Sequence, residues 1–287
     1  MEVNSVIVRT MQADDAGAAM ELSAAEAWNQ TTNDWNFLIK YPGNICVAVV
    51  CENEIIATTT AMIYSGRLAW IGMVLVKKKY RGRGISKLLL EHIFEKFESF
   101  PSVKLDATAQ GEQVYKKFGF KAEYRIARMV NAAQKKIDIP GADSMIEHMG
   151  LEYIPEIIAL DEMVFGINRT PLIEMLVSTY PHKAWILVQD SHVTGFALGR
   201  EGSKYHHVGP AIAQTQADAN LLILHVLNQL EGKPVVVDVL CDKAELMHSL
   251  TAVGFSTQRY FTRMYKEKNP FPGNSSKLYA ICGPEFG

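Results

Sequence analysis

Long apolar runs are missing from this chain of 287 residues: no stretch of about 18 apolar residues, the length that a transmembrane helix needs, occurs. The amino-terminal segment also lacks the basic and then apolar organisation of a secretory signal peptide. We therefore expect a cytoplasmic protein without a membrane partner. An apolar content of 48% and a charged content of 21% are typical of globular proteins, and the length suits two domains.

Cysteine is scarce, and neither sign of charge is in excess. The four cysteines show neither metal-site spacing nor a disulfide framework, so we expect reduced thiols. A formal net charge of −2 gives no basis for binding nucleic acid or an acidic membrane over a large surface. The adjacent His206 and His207 fall on a predicted strand, where neighbouring side chains point to opposite faces and cannot readily chelate together. The sequence thus predicts no metal and no nucleic-acid partner.

The two commonest nucleotide-binding loops are also absent. The pattern Gly-x-x-x-x-Gly-Lys-Ser/Thr does not occur, and Gly-x-Gly-x-x-Gly fails because Lys87 stands where the third glycine belongs. What is present is Arg81-Gly-Arg-Gly-Ile-Ser86, placed after the strand-like run Leu68–Val76 and before a helix-like run that starts at Ile85. Glycines allow the main chain to approach a ligand, and the start of a helix attracts anions. This segment predicts a phosphate-bearing ligand, although taken alone it is also compatible with a solvated basic turn.

The segment resembles the coenzyme A loop of the GNAT acetyltransferase superfamily. Arg81, Gly84 and Ser86 fill the fixed positions of the family pattern Gln/Arg-x-x-Gly-x-Gly/Ala, and 114–120 resembles the helix and turn that follow in that family. The resemblance implies acetyl-CoA as co-substrate and no metal. It also implies an α/β (α+β) fold in which a mixed, mostly antiparallel sheet is flanked by helices.

The second half of the chain repeats the first. Phe118-Gly-Phe120 aligns with Val253-Gly-Phe255, and Arg128-Met129 aligns with Arg263-Met264 at the same offset of 135 residues. The counterpart of the loop, Gln214–Asp218, has no glycine and no arginine, so the second copy is expected to have lost coenzyme A binding. We predict a GNAT domain over residues 1–131, a linker over 132–144, a degenerate GNAT-like domain over 145–268 and a C-terminal extension over 269–287.

The resemblance also implies roles for individual residues. The pantetheine arm of the cofactor would lie along the end of the strand before the loop, and main-chain N–H groups of the loop would bind the pyrophosphate. The residues assigned to the cofactor are Val74, Leu75, Val76, Arg81, Gly82, Arg83, Gly84, Ile85, Ser86 and Lys87. Tyr115 would protonate the departing thiolate, because a phenol has a pKa near 10, close to that of a thiol. Its alternative role is packing on the inner face of its helix.

The acceptor side is less clearly marked. Trp28 and Asn29 fall in the region between the first two helices, where relatives bind the acceptor, although Trp28 and Trp35 are equally compatible with a core role. Asp106 lies at a strand end, as a candidate base or as a partner of the backbone. Thr108 stands near the place where many relatives have an asparagine.

These patterns predict an acetyl-CoA-dependent N-acetyltransferase in which an amine attacks the thioester directly. The alternative is a catalytically weak acyl-CoA sensor or regulatory module, and a further possibility is that the second half binds a protein partner. The sequence indicates neither the identity of the acceptor nor the oligomeric state.

Overall fold

The computed structural model describes residues 6–97, 100–139 and 145–287. Their Cα positions divide the chain into two compact units, Met1–Leu105 and Asp106–Gly287. Part of the predicted linker, residues 140–144, lies outside the described residues, as does Ser5 of the predicted first strand.

The first unit is a five-stranded sheet with three helices. The strands follow the order β1-β2-β3-β4-β5, and neighbours are antiparallel except for the parallel pair β4 and β5. The last strand continues into the second unit. The elements are β1 (Val6–Thr10), α1 (Ala16–Ala25), α2 (Thr32–Lys40), β2 (Ile45–Cys51), β3 (Glu54–Tyr64), β4 (Leu68–Val76), α3 (Ile85–Glu95) and β5 (Ser102–Thr108).

Local sequence signals explain the elements of this unit. The apolar runs of β2 and β3 are buried because helices cover the sheet, and the apolar face of α3 packs there through Ile85 and Leu89. Asn33, a residue type that commonly caps helices, lies inside α2 and does not cap it. Thr31 is the N-cap: its hydroxyl accepts from the Asp34 N–H at 3.2 Å, and the Asp34 carboxylate accepts from the Thr31 N–H at 2.7 Å. This reciprocal arrangement is a capping box, which outcompetes a single asparagine.

The described residues of the second unit form eight further strands and five α-helices. Their order in the sheet is β12-β6-β11-β13-β10-β9-β8-β7, and β10 and β11 also pair directly in parallel. The elements are α4 (Ala109–Lys116), β6 (Phe120–Asn131), β7 (Ile146–His148), α5 (Ile154–Phe165), α6 (Thr170–Thr179), β8 (Trp185–Gln189), β9 (His192–Arg200), β10 (His206–Ala213), α7 (Gln216–Asn228), β11 (Val235–Leu240), α8 (Ala244–Ala252), β12 (Ser256–Lys266) and β13 (Leu278–Ala280).

Strand pairing places the end of the first sequence copy inside the second unit. β6 lies between β11 and β12 and pairs with both in antiparallel register. Two equivalent ion pairs accompany this arrangement: Arg128 on β6 binds Asp238 on β11 with two hydrogen bonds of 2.7 Å, and Arg263 on β12 binds Asp106 at 2.9 and 2.8 Å. The compact units therefore follow the strand pairing, whereas the predicted domain boundaries follow the sequence repeat.

The predicted C-terminal extension is part of the second unit's sheet. Its strand β13 pairs with both β10 and β11, and Phe271, Leu278 and Phe286 are buried. A mixed, mostly antiparallel sheet flanked by helices is confirmed. Among the residues described, no helix has both the length and the apolar character required to cross a bilayer.

Candidate functional site

The end of β4 is shaped by a β-bulge. Opposite β3, the register shifts between the pairs Thr60–Gly72 and Thr58–Leu75, and Met73, one of the two β4 residues in between, has a positive φ of 52°. The Thr58 hydroxyl donates to the main-chain oxygen of Met73 at 3.0 Å, which holds the bulge in the buried sheet. Bulges of this kind redirect the main chain beside functional sites.

The same bulge coincides with the end of the β4–β5 ladder in the first unit. That parallel register runs from Leu68 opposite Ser102 to Ile71 opposite Leu105. The following residues, Val74 to Val76, are those assigned to the pantetheine arm. Leu75 still pairs with β3 on its other edge, so the strand stays extended up to the loop.

The loop that follows β4 exposes its main chain. Gly82 and Gly84 have φ values of 74° and 80°, a region that favours glycine, and no atom lies within 4 Å of the position that a Cβ would take at either residue. Gly84 is the N-cap of α3 and offers no side chain to cap it. The first N–H groups of α3, those of Ile85, Ser86 and Lys87, have no acceptor within the helix itself. The loop thus combines an uncapped helix N-terminus with a close approach for an anion.

Among the described residues, some of the cations around the loop form ion pairs with carboxylates, and others do not. Lys77 and Lys79 both bind Glu54, at 2.5 and 3.1 Å, and Arg81 binds Glu26 at 2.6 Å while donating to the Val76 main-chain oxygen at 3.0 Å. Arg81, which the sequence assigns to the cofactor, thus also ties the loop to the end of α1.

Arg83 is exposed and stacks over the ring of Tyr80 at 5.7 Å. Within the described part of the chain, no carboxylate forms an ion pair with Arg83 or Lys78. These two cations are therefore the ones best able to meet phosphate oxygens.

Tyr115 lies on α4, in the second unit, and its ring packs against Phe120 with centroids 5.8 Å apart. Gly111, one turn earlier, leaves room for the ring, because a Cβ there would come within 3.1 Å of the Tyr115 Cε2 atom. Burial raises the pKa of Tyr115 above its ordinary value. The phenol therefore stays protonated at neutral pH and is available as a hydrogen-bond donor; its catalytic role remains a prediction.

Two residues near α4 have structural roles. Asp106 is fully buried and holds the Arg263 guanidinium with both carboxylate oxygens; burial raises its pKa and the arginine opposes that rise. Its side chain is committed to this pair rather than open to a substrate amine. Thr108 is the N-cap of α4, where its hydroxyl accepts from the Gly111 N–H at 3.1 Å.

The acceptor candidates lie between α1 and α2. Trp35 is a core residue: it is fully buried, and its indole N–H donates to the Ser23 hydroxyl at 3.1 Å. Asn29 is also buried, whereas Trp28 is partly exposed. Glu26 flanks this segment and binds Arg81 of the loop, a pairing that the sequence does not indicate. The acceptor roles of Trp28 and Asn29 remain predictions.

The second copy has a different helix start at the place that corresponds to the loop. Thr215 caps α7 by accepting from the Asp218 N–H at 3.1 Å, and its hydroxyl donates to the Asp218 carboxylate at 2.7 Å. A negative charge from the chain itself thus occupies the N-terminus of α7, where it interacts favourably with the helix dipole. An external phosphate would meet that carboxylate, which agrees with the predicted loss of cofactor binding.

The histidine pair does not form a metal site. The imidazole of His206 lies 2.8 Å from the Lys183 Nζ, whereas the His207 Nε2 lies 3.1 Å from the Ile281 main-chain oxygen, so the rings face different neighbours. No group of three or more metal-ligating side chains occurs within the described ranges. All four cysteines are free, and burial raises the pKa of the Cys46 thiol to about 12.

Acidification should destabilise the protein through His207. Burial lowers its pKa from 6.5 to about 4, so the folded state keeps it neutral while the unfolded state takes up a proton as pH falls below 6.5. Stability is therefore full above pH 6.5 and is lost between pH 6.5 and 4. We expect a loss of roughly 2 kcal/mol in the free energy of unfolding between pH 7.5 and 5 from this residue. Urea titrations compare wild type with His207→Gln; equal losses in both would contradict the role of His207.

Comparison with known proteins places both halves in one family. Two family models, each described as an acetyltransferase (GNAT) domain, match residues 42–122 and 157–280. The holothin acyltransferase of Pseudoalteromonas sp. (strain SANK 73390) is 25% identical over 268 residues, which cover 93% of this chain and 90% of that protein. The uncharacterized N-acetyltransferase YitH of Bacillus subtilis (strain 168) is 23% identical over 77% of this chain and 78% of its own length.

Solved structures share the fold. A protein of Pyrococcus horikoshii proposed to be an acetyltransferase matches with a TM-score of 0.77 and 21% identity, covering 100% of this chain and 98% of that one. A tandem GNAT protein from the clavulanic acid biosynthesis pathway matches with a TM-score of 0.64 and 13% identity, covering 91% and 98%. The tandem arrangement is thus found in a known structure.

Proposed function

Because the chain belongs to the GNAT acetyltransferase superfamily, with two domains of that family in tandem, we propose that it transfers an acetyl group from acetyl-CoA to an amine. As a member of this family it is an acyltransferase; the acetyl donor and the amine acceptor are the proposed part. The observation that carries the proposal is the start of α3. There an uncapped helix N-terminus, two positive-φ glycines and an uncommitted Arg83 come together.

The proposed donor site uses main-chain groups. The pyrophosphate of acetyl-CoA would accept hydrogen bonds from the N–H groups of residues 82–87, and Arg83 and Lys78 would add positive charge. The pantetheine arm would lie along Val74 to Val76, where a main-chain N–H would polarise the thioester carbonyl. The side chains of Val74 to Val76 serve the packing of the sheet, so only their backbone takes part.

The proposed reaction is direct aminolysis of the thioester. The neutral amine nitrogen attacks the carbonyl carbon, the C–N bond forms, and the C–S bond breaks with its electron pair going to sulfur. The nitrogen loses its proton to water, and the thiolate takes up a proton from water. Tyr115 would donate a hydrogen bond to the developing thiolate, because its raised pKa favours a donor over a full proton transfer. Asp106 has no part in this proposal, since Arg263 occupies both of its oxygens.

Tyr115→Phe tests the role of the phenol. We expect kcat to fall roughly 10–100-fold with little change in the KM for acetyl-CoA, because the ring and its packing on Phe120 are kept while the hydrogen bond is lost. Steady-state kinetics with a thiol reagent measure both constants. Tyr153→Phe, at a tyrosine whose hydroxyl contacts Glu147 at 3.4 Å, is the matched control. An unchanged kcat in Tyr115→Phe would remove the phenol from the mechanism.

The activity itself is tested by release of free thiol from acetyl-CoA in the presence of a panel of amines. Small amines, amino-acid derivatives and peptide N-termini form the panel, and holothin is included because one relative is named for acylating it. Saturable release that depends on both substrates is expected. Saturable acetyl-CoA binding without turnover on any amine would favour the sensor instead, and no binding would contradict both functions.

A further inference from the structure

We propose that the chain's own segment Leu278–Gly287 occupies the opening between β10 and β11. The corresponding opening of the first copy is where acyl-CoA would bind. Each chain would then bind a single acyl-CoA. This inference rests on the proposed function, because it takes the end of β4 as the position of the donor in the first copy. It also accounts for a segment whose role the sequence does not indicate.

The two copies have the same opening in their sheets. In the first unit, β4 and β5 run parallel and pair over four residues from Leu68 to Ile71. In the second unit, β10 and β11 run parallel and pair over three residues from His206 to Val208. In each pair, the strand that comes first in the sequence continues beyond the paired residues, β4 to Val76 and β10 to Ala213.

In the second unit, the continuation of β10 is paired with β13. Ala211 lies opposite Ala280 and Ile212 opposite Leu278, and the Ala213 N–H donates to the Lys277 main-chain oxygen at 3.2 Å. β13 also pairs with β11 on its other edge, with Ala280 opposite Val239, and there the Ile281 N–H donates to the Asp238 main-chain oxygen at 3.0 Å. The segment therefore uses the main-chain groups that an extended pantetheine arm would need.

Buried cations hold the segment in the opening. Arg200 is fully buried and binds Glu285 at 2.5 Å, and it also donates to the Cys282 main-chain oxygen at 3.5 Å. Arg169, equally buried, donates to the Gly287 main-chain oxygen at 2.8 Å. Buried charges need partners, so Arg200 depends on Glu285 of the segment for its counter-charge. Arg169, by contrast, has its counter-charge in Asp161, which it binds at 3.0 and 2.7 Å. The contact has the character of a folded core and not of a mobile lid.

β10 itself is adapted to this segment. Gly209 has a φ of 146°, and a Cβ at this position would overlap the Ile281 main-chain oxygen. Glycine is thus required for the close approach of the two backbones. At the same end of the opening, the N-terminus of α7 is capped by Thr215 and faces the Asp218 carboxylate. A donor site needs a free strand edge and a free helix N-terminus. In the second copy the chain's own groups occupy both: β13 pairs with the strand edge, and Thr215 and Asp218 lie at the helix start.

Calorimetric titration of the full chain with acetyl-CoA counts the sites. We expect one site per chain in wild type and none in Gly84→Asp, which removes the first site alone. Two sites in wild type, or a site that survives in Gly84→Asp although that variant has lost turnover, would overturn the inference while leaving the proposed function intact. No binding in wild type would contradict the proposed function, and the next measurement then decides the inference separately.

Hydrogen exchange of main-chain amides measures directly whether the segment occupies the opening. The amides of Ala213 and Ile281 should exchange as slowly as those of the β9–β10 ladder, and saturating acetyl-CoA should leave their rates unchanged. Gly209→Ala should speed exchange at Ile281 at least tenfold, because the added Cβ displaces the segment; Gly17→Ala, at a glycine with no atom near its Cβ position, is the control. Fast exchange of these amides in wild type, or new protection on adding acetyl-CoA, would overturn the inference.

Discussion

Replacing Gly84 by aspartate should lower kcat/KM for acetyl-CoA by at least about 100-fold. The new carboxylate would stand at the N-cap of α3, where the N–H groups of residues 85–87 point outward and the proposed pyrophosphate binds. Two like charges about 4 Å apart near a protein surface repel by about 4 kcal/mol, more than a 100-fold loss requires. A side chain at the φ of 80° adds backbone strain of about 1 kcal/mol.

The control for this prediction is Gly43→Asp. Gly43 also has a positive φ, of 95°, and no atom within 4 Å of its Cβ position, so the same strain and the same charge are introduced away from the loop. Gly84→Ala separates strain from charge and should lose much less activity than Gly84→Asp. Thiol release and acetyl-CoA binding are measured for all three variants. Full turnover in Gly84→Asp would exclude this loop as the phosphate site.

The loop could be predicted because residues adjacent in the sequence determine its conformation. Glycines at residues 82 and 84, between a strand-like and a helix-like run, already specify the turn and the helix start. The ion pair between Arg81 and Glu26 could not be predicted, since it joins positions far apart in sequence. Nor is there a signal for the bulge at Met73, because a methionine with positive φ is set by the surrounding sheet and the Thr58 hydrogen bond.

The pairing of the strands is the larger part of the fold that could not be predicted from the sequence. Apolar runs indicate single strands, and the strand predicted at His206 and His207 is present as β10 (His206–Ala213). Such runs do not say which strand lies beside which, because all of them bury similar side chains. The place of β6 between β11 and β12 becomes clear only from the register. The short β13 falls in a stretch rich in proline, glycine and serine, which reads as an extension.

One feature of the sequence does indicate which strands pair. Arg128 and Arg263 occupy equivalent positions of the repeat, and each binds an aspartate from the other sequence copy, Asp238 and Asp106 respectively. An arginine within an apolar strand requires a buried partner. Each copy supplies one aspartate in its preceding strand, so exchange of the final strands satisfies both arginines.

Asp238→Ala should lower the free energy of unfolding by about 3–5 kcal/mol, because it leaves Arg128 buried without its counter-charge. The Arg128 guanidinium holds the pKa of Asp238 below its ordinary value, so the native pair is present above the unfolded pKa near 3.8 and is lost only as pH falls through the lower folded value. The loss should therefore be constant between pH 5 and 8, apart from the change at His207, whose Nε2 lies 3.8 Å from the Asp238 carboxylate and whose pKa that charge raises. Urea unfolding followed by circular dichroism measures it.

Two variants separate the charge from the packing. The double change Arg128→Met with Asp238→Leu removes both charges at similar volume and should recover most of the lost stability, since a buried ion pair gains little over apolar packing. Glu91→Gln breaks the exposed i,i+4 pair with Lys87, whose atoms lie 3.5 Å apart, and should change the unfolding midpoint negligibly. If Asp238→Ala were as stable as wild type, Arg128 would have to find another partner or water. The buried pair would then not be what stabilises the exchanged strand. If the double variant were no more stable than Asp238→Ala, the geometry of the pair, and not its charge balance, would be what β6 needs to lie between β11 and β12.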